Sequence, residues 1–205
     1  MLRKQLVALA CFIFALPVVS ASALELSLHA NTNKNLTAVL ATGEIKRGDE
    51  EKLGALLRAQ PFRKNIAVYL ASPGGNLYEG MRLGLYFRQN RIKTVVEGGQ
   101  DCASACALAF LGGTDNSGQP WRSSSTNSRL GFHAFRGIEK SASTDDVQRI
   151  VADMLRYGKA VDAPVDLLIE GFATPSDNIF WVSSADVCAL KIKLWSNDTK
   201  RFVCH

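Results

Sequence analysis

The sequence has few residues of the kinds that build metal centres or nucleic-acid-binding surfaces. Only three histidines and five cysteines occur among 205 residues, and none of them has the spacing of a zinc site. Basic side chains exceed acidic ones by only five, and basic pairs such as Lys46 and Arg47 stand among acidic neighbours. Because nucleic-acid-binding proteins need a concentrated basic surface, we expect no metal, no cofactor and no nucleic-acid partner.

Long apolar runs are also missing, apart from one near the N-terminus. Basic residues precede an apolar stretch (6–19), and Ala-Ser-Ala follows it just before Leu24. The stretch is too short for a comfortable membrane span, and this order of basic, apolar and small residues is typical of a secretory signal peptide. We therefore predict that residues 1–23 are cleaved on export, with a retained N-terminal anchor as the alternative. Residues 24–205 then suffice for one domain in the periplasm or outside the cell.

Cysteine usage agrees with export. Loss of the signal peptide leaves an even number of cysteines, which is common in chains that fold in an oxidising compartment. They are Cys102, Cys106, Cys188 and Cys204. Local pairing joins the first two and the last two, whereas cross-pairing ties the segment around residue 104 to the C-terminal tail. An i,i+4 separation lies within disulfide reach, so local pairing is favoured and cross-pairing stays open.

The mature chain alternates between strand and helix patterns. Apolar runs predict strands at 36–42, 65–71 and 92–96, and helical spacing predicts helices at 50–58 and 77–89. Strands separated by helices of this length are typical of parallel pairing with right-handed crossovers. The sequence therefore predicts an α/β domain.

The second half of the chain is less regular. Residues 113–128 are rich in serine, glycine and asparagine and predict a long polar loop that acts as a mobile flap. A short strand at 130–135 follows. A helix that begins at Ser143 or Thr144 carries an apolar stripe. The stripe is Val147, Ile150, Val151, Met154 and Leu155.

Three short motifs follow apolar runs and are therefore expected at strand ends. They are a Ser-Pro-Gly-Gly turn at residues 72–75, a Cys-Ala-Ser-Ala-Cys segment centred on Ser104, and a Gly-Phe-His-Ala-Phe segment centred on His133. Each has a simpler explanation when taken alone: a plain turn, a small packing residue, and a hydrogen-bonded core imidazole. Together they supply a hydroxyl, an imidazole and free backbone N–H groups, which are the components of a serine hydrolase.

The three motifs in this order resemble those of the ClpP-like serine peptidases in the ClpP/crotonase superfamily. The resemblance covers approximately residues 35–192 and implies a single-domain β-β-α superhelix. It also implies that Ser104 is the nucleophile, that His133 is the general base, and that the amides of Gly75 and Ala105 form the oxyanion hole.

The resemblance implies further site residues. Gly74 and Asn76 lie beside the groove in which family members hold the substrate backbone. The nearest acid before the segment that carries the family's aspartate is Asp177, two residues earlier than the pattern, which falls here on Ile179. Either Asp177 or the neighbouring Asn178 orients the imidazole, or the site works as a Ser-His dyad. Cysteines beside the nucleophile are absent from typical cytosolic members, and they indicate an exported branch whose nucleophile loop is braced by a disulfide.

These expectations combine into an exported, ATP-independent serine peptidase that acts on peptides or proteins. The best-known relatives form rings fed by ATP-driven unfoldases, so the resemblance allows a homo-oligomer. No unfoldase partner is expected where ATP is absent. The main alternative is a catalytically inactive relative that serves as a peptide-binding or assembly module. An acyl-CoA-handling crotonase is less favoured because coenzyme A is not expected outside the cytoplasm.

Overall fold

The computed structural model describes residues 22–61, 65–135 and 143–204. All of the predicted signal peptide except Ser22 and Ala23 lies outside these ranges. Within them, the strands are β1 (Glu25–Leu28), β2 (Leu36–Thr42), β3 (Asn65–Ala71), β4 (Ile92–Val96), β5 (Asp101–Ala103), β6 (Arg122–Ser125), β7 (Arg129–Phe132), β8 (Phe180–Trp181), β9 (Lys193–Ser196) and β10 (Arg201–Cys204). The helices are α1 (Asp49–Arg58), α2 (Leu77–Gln89), α3 (Ala105–Leu111), α4 (Thr144–Ala160), α5 (Val165–Ala173) and α6 (Ser184–Val187).

Two sheets organise the domain. The larger has the strand order β1-β2-β3-β4-β6-β9-β10. Its central strands β2, β3, β4, β6 and β9 are parallel, and its outermost strands pair antiparallel. A smaller sheet has the order β5-β7-β8. The predicted parallel α/β architecture is confirmed, and the strands and helices predicted between residues 36 and 96 agree with the structure to within one residue.

Helix α3 is wholly buried and packs closely against α2. Small residues allow this approach, since a Cβ added to Gly80 would lie 2.5 Å from the Ala105 carbonyl oxygen. A Cβ added to Gly112 would lie 2.0 Å from the carbonyl oxygen of Gly84. Because the two backbones touch at both ends of the contact, the N-terminus of α3 has a fixed position relative to the start of α2.

The predicted polar flap at residues 113–128 is wrong in its second half, because β6 is an inner strand of the larger sheet. Its serines are buried, and so is Arg122, which is 0% exposed. The Arg122 guanidinium donates to the carbonyl oxygens of Val161 and Asp162 at 2.8 and 2.7 Å. Carbonyls at the C-terminal end of α4 carry partial negative charge and so suit a buried cation. Burial nevertheless lowers the pKa of Arg122 to about 10.

Both disulfides follow the local pairing favoured by the sequence. Cys102 bonds to Cys106 with an S–S distance of 1.99 Å, and Cys188 bonds to Cys204 at 2.03 Å. The first joins β5 to α3, and the second ties β10 to the segment that follows α6. Among the described residues, no helix has the length and apolar character needed to span a membrane.

Candidate active site

The Ser-Pro-Gly-Gly turn is joined to the strand that precedes Ser104. Ser72 forms an isolated parallel bridge with Cys102 of β5. Its N–H donates to the Asp101 carbonyl at 2.9 Å, and its carbonyl accepts from the N–H of Ala103 at 3.1 Å. The glycine turn and the segment around Ser104 are therefore parts of one hydrogen-bonded unit, although about thirty residues separate them in the sequence.

Ser104 occupies a sharp turn between β5 and α3. Its backbone has φ 57° and ψ −126°, a conformation that non-glycine residues adopt rarely and at a cost of about 1–3 kcal/mol. The N–H of Ser104 donates to the Gly131 carbonyl at 3.0 Å, and its carbonyl accepts from Leu108 at 3.2 Å. A strand-to-helix turn also projects a serine hydroxyl out of the sheet in the α/β-hydrolase fold.

Gly74 lies directly against this turn. Its φ is 103°, and a Cβ added to it would lie 2.6 Å from the Ser104 Cβ and 3.0 Å from the Ala105 nitrogen. Its N–H donates to the Ser72 hydroxyl at 3.1 Å, and its carbonyl accepts from Ile45 at 2.7 Å. Glycine is therefore required here for backbone conformation and for close approach.

Asn76, the other predicted contact for substrate, begins α2 as its N-cap. Its side-chain oxygen accepts from the N–H of Glu79 at 2.9 Å, as is common at a helix N-terminus. Its own N–H donates to the Ile45 carbonyl at 2.8 Å. The structure thus shows structural roles for Gly74 and Asn76, and contact of either with substrate stays a prediction.

The amides of Gly75 and Ala105 have no hydrogen-bond acceptor among the described residues. The neighbouring N–H groups of Gly74 and Asn76 donate to the Ser72 hydroxyl and the Ile45 carbonyl, which leaves the N–H of Gly75 between them. Ala105 is the first residue of α3, where the helix offers its N–H no carbonyl partner. Both donors are available to an external oxygen.

His133 directly follows β7 and is half-buried. Its Nδ1 lies 2.7 Å from the carbonyl oxygen of Ala134. A carbonyl only accepts, so in the neutral ring Nδ1 carries the proton and Nε2 keeps a lone pair. This is the tautomer that a general base for a serine hydroxyl requires.

Asp177 is placed in the turn between α5 and β8, where it is exposed. Both Asp177 and His133 are described, and no hydrogen bond or ion pair joins them. Ile179 stands where the family pattern has its acid, and its Cγ2 would lie 2.6 Å from a Cβ added to Gly131 of β7. An apolar side chain, that of Ile179, therefore lies next to β7 at this position. The imidazole of His133 forms its hydrogen bond with the Ala134 carbonyl instead.

Four of the residues predicted from the sequence line one cavity of about 40 Å³: Gly75, Ser104, Ala105 and His133. The rest of its wall is apolar and comes from α2 to α5 and the segment around β7. These residues are Leu77, Leu108, Phe132, Phe135, Met154, Leu167, Leu168 and Gly171. The sequence analysis predicted the apolar stripe of α4, which includes Met154, but not that this helix lines the site. The cavity can hold a carbonyl group beside the hydroxyl and a small apolar side chain beyond it.

Comparison with known proteins bears on the fold. No model of a known protein family matches the chain, and no curated protein matches it. Among solved structures, the chain is similar to the ClpP protease catalytic domain from Plasmodium falciparum, with a TM-score of 0.54 and 18% sequence identity over 78% of this chain and 84% of that one. Identity this low shows architecture only. The chain has a ClpP-like α/β fold, as the motif resemblance implied.

Proposed function

We propose that this protein is an exported serine peptidase that hydrolyses peptide bonds without ATP through a Ser104–His133 dyad. The observation that supports this most strongly is the cavity lined together by Ser104, His133, Gly75 and Ala105, since the amides of the last two have no acceptor among the described residues. The disulfides Cys102–Cys106 and Cys188–Cys204 are compatible with an oxidising compartment after export.

In this mechanism His133 Nε2 accepts the Ser104 proton as Oγ attacks the substrate carbonyl. The tetrahedral oxyanion accepts hydrogen bonds from the amides of Gly75 and Ala105, and loss of one such donor typically costs about 10²–10³ in kcat. The imidazolium then gives its proton to the leaving amine. Water hydrolyses the acyl-enzyme by the same steps, with His133 again as the base.

The Ala134 carbonyl takes over one of the two tasks of a triad aspartate. It fixes the imidazole tautomer and ring orientation through Nδ1. It carries only a partial charge, so it stabilises the imidazolium less than a carboxylate does. We therefore expect slower turnover than in a full Ser-His-Asp site. Turnover should depend on His133 as strongly as it does on the histidine of such a site.

The cavity also indicates the side chain that precedes the cleaved bond. Its volume of about 40 Å³ is well below the roughly 150 Å³ that holds a benzene ring in an engineered protein cavity. The wall beyond Ser104 and His133 is apolar and mostly buried. Small aliphatic residues such as alanine or valine are therefore the proposed preference at this position.

A fluorophosphonate probe tests the proposal, because it reacts only with an activated serine. The oxidised protein without residues 1–23 should gain one adduct, located at Ser104 by peptide mass spectrometry. Ser104→Ala should abolish the adduct, and His133→Gln should slow its formation by about 10²–10⁴-fold. The exposed Ser27 of β1 provides the matched control, and Ser27→Ala should react as the unmodified protein does. Absence of an adduct on folded, oxidised protein would favour a peptide-binding or assembly module.

A further inference from the structure

We propose that the Cys102–Cys106 disulfide switches the site on, so that the chain is catalytically latent as a dithiol and acquires its nucleophile geometry on oxidation. This inference rests on the proposed peptidase function and concerns its regulation. The disulfide closes a short ring whose central residue is Ser104, with one sulfur on β5 and the other on the first turn of α3. The two cysteines are 0% exposed.

The disulfide-closed ring contains Ser104, whose backbone conformation positions the hydroxyl in the proposed site. Ser104 has a positive φ of 57°, which a relaxed chain would leave for the favourable regions at negative φ. The hydrogen bonds on either side, from Ser104 to Gly131 and from Leu108 to Ser104, fix the ends of the turn. The amide between them, that of Ala105, has no acceptor among the described residues. The covalent link across the turn adds to these two hydrogen bonds in opposing rotation at Ser104.

Reduction removes this link at a site where both cysteines are fully buried. Two non-bonded sulfur atoms need more space than a bonded pair, and the fully buried positions of Cys102 and Cys106 force the backbone between them to adjust. Gly74 lies against the Ser104 Cβ and the Ala105 nitrogen, so an adjustment of the turn also displaces the glycine turn. The hydroxyl and both oxyanion donors lose their common geometry together.

The redox step needs an external oxidant, which we assign to the class of small-molecule or protein disulfides. A thiolate of Cys102 or Cys106 attacks that disulfide, which forms a mixed disulfide and releases one thiol of the oxidant. The thiolate of the other cysteine then attacks the cysteine sulfur of the mixed disulfide, which forms Cys102–Cys106 and releases the second thiol. The chain loses two electrons and two protons, and the oxidant is reduced to its thiols. Because both sulfurs are buried in the folded protein, oxidation accompanies folding. Peptidase activity is thereby confined to the oxidising compartment.

The second disulfide supplies a matched control. Cys188–Cys204 pins the C-terminal strand, and neither of its cysteines lines the catalytic cavity. In a Cys188→Ala/Cys204→Ala protein, the oxidised fraction of Cys102–Cys106 is varied by refolding in buffers with different ratios of reduced to oxidised glutathione. The oxidised fraction is measured by thiol alkylation and mass spectrometry, and the fluorophosphonate labelling rate is measured on the same samples. Labelling should follow the oxidised fraction, and the fully reduced protein should react at least about 100-fold more slowly.

Refolding with an oxidant should restore labelling of the reduced protein. A Cys102→Ala/Cys106→Ala protein should keep the aromatic bands of its near-UV circular dichroism while its kcat for a small peptide ester falls. Its KM should stay within about threefold, because the apolar cavity wall of Met154, Leu167 and Leu168 lies outside the turn. Labelling of folded, reduced protein at the oxidised rate overturns the switch but leaves the peptidase intact. Global unfolding on reduction also overturns it, since the bond is then structural. No labelling of the oxidised protein overturns the peptidase itself.

Discussion

Replacing Gly74 with alanine tests whether close packing of the glycine turn on the nucleophile positions Ser104. Gly99 offers a matched control, because its φ is also positive, at 80°, and nothing lies within 4 Å of a Cβ added there. Each alanine has a backbone cost of about 1–2 kcal/mol from the left-handed conformation. Only the alanine at Gly74 also meets a neighbour, with its Cβ 2.6 Å from the Ser104 Cβ.

The size of the effect follows from that distance. An ordinary carbon contact is about 3.5 Å or more, so Ser104 must move away by roughly 0.9 Å. A misplacement of about 1 Å costs on the order of 100-fold in rate, which corresponds to about 2.7 kcal/mol of barrier. Gly74→Ala should therefore slow fluorophosphonate labelling by about two orders of magnitude, whereas Gly99→Ala should label normally and lose only thermal stability.

The assay compares labelling rate and thermal unfolding for both variants at a temperature where each is folded by near-UV circular dichroism. The reasoning is refuted if Gly74→Ala labels within about threefold of Gly99→Ala, because the roughly 100-fold loss then does not follow from the contact. Should Gly74→Ala fail to fold where Gly99→Ala folds, the contact is confirmed as a packing requirement.

Other predictions follow from the dyad, the cavity wall and the buried tyrosine. Asp177→Asn should keep kcat/KM within about threefold of the unmodified protein, because the carboxylate forms no bond to His133, and a loss of about 100-fold or more would show that it joins the site in solution. Met154→Ala should widen the cavity and raise the ratio of kcat/KM for phenylalanyl over alanyl peptide esters by at least about tenfold; an unchanged ratio would exclude this wall from specificity. Tyr157 donates to the Leu108 carbonyl, so Tyr157→Phe should lower the free energy of unfolding by about 1–2 kcal/mol in denaturant titrations. Burial raises the pKa of Tyr157 above its ordinary value of 10.0, so above pH 10 the unfolded chain loses this proton while the folded chain keeps it, and stability falls as pH rises. The stability difference between the two proteins should therefore shrink above pH 10, and a constant difference would contradict the shift.

Local patterns predicted the first half of the domain well, because its strands and helices differ in apolar spacing. The stretch β2 to β4 has short apolar runs between turn residues, and α1 and α2 have clear helical periodicity. Strand β6 shows the limit of this reasoning. Its Arg-Ser-Ser-Ser sequence is polar, yet it is an inner strand, since small serines fit between neighbours and the Arg122 guanidinium reaches carbonyls about forty residues away. Tertiary packing alone brings these carbonyls to Arg122, so the local sequence does not predict the contact.

The apolar stripe predicted on α4 was only partly right for the same reason. Met154 is buried and lines the cavity, but Val147 and Leu155 are 39% and 49% exposed. Periodicity locates an apolar face and does not show which part of that face meets the core and which meets solvent.

Some features of the candidate site could be predicted from the sequence and others could not. The motifs placed Ser104, His133 and the two amides together because strand ends and turn residues fix them locally. The partner of the imidazole did not follow from sequence, because a backbone carbonyl such as that of Ala134 has no signature in the order of side chains. Nor did the role of Ser72, whose hydroxyl accepts from the Gly74 amide at 3.1 Å and whose backbone joins the two halves of the site.

The most direct test of the account is a crystal structure of the oxidised protein after reaction with a peptidyl phosphonate that carries an alanine side chain beside phosphorus. The account predicts a bond from Ser104 Oγ to phosphorus, with the phosphoryl oxygen about 2.7–3.1 Å from both the Gly75 and the Ala105 nitrogens, and with His133 Nε2 beside Oγ. A phosphoryl oxygen that faces solvent while those amides bind other protein groups, or an adduct on a different residue, would contradict it.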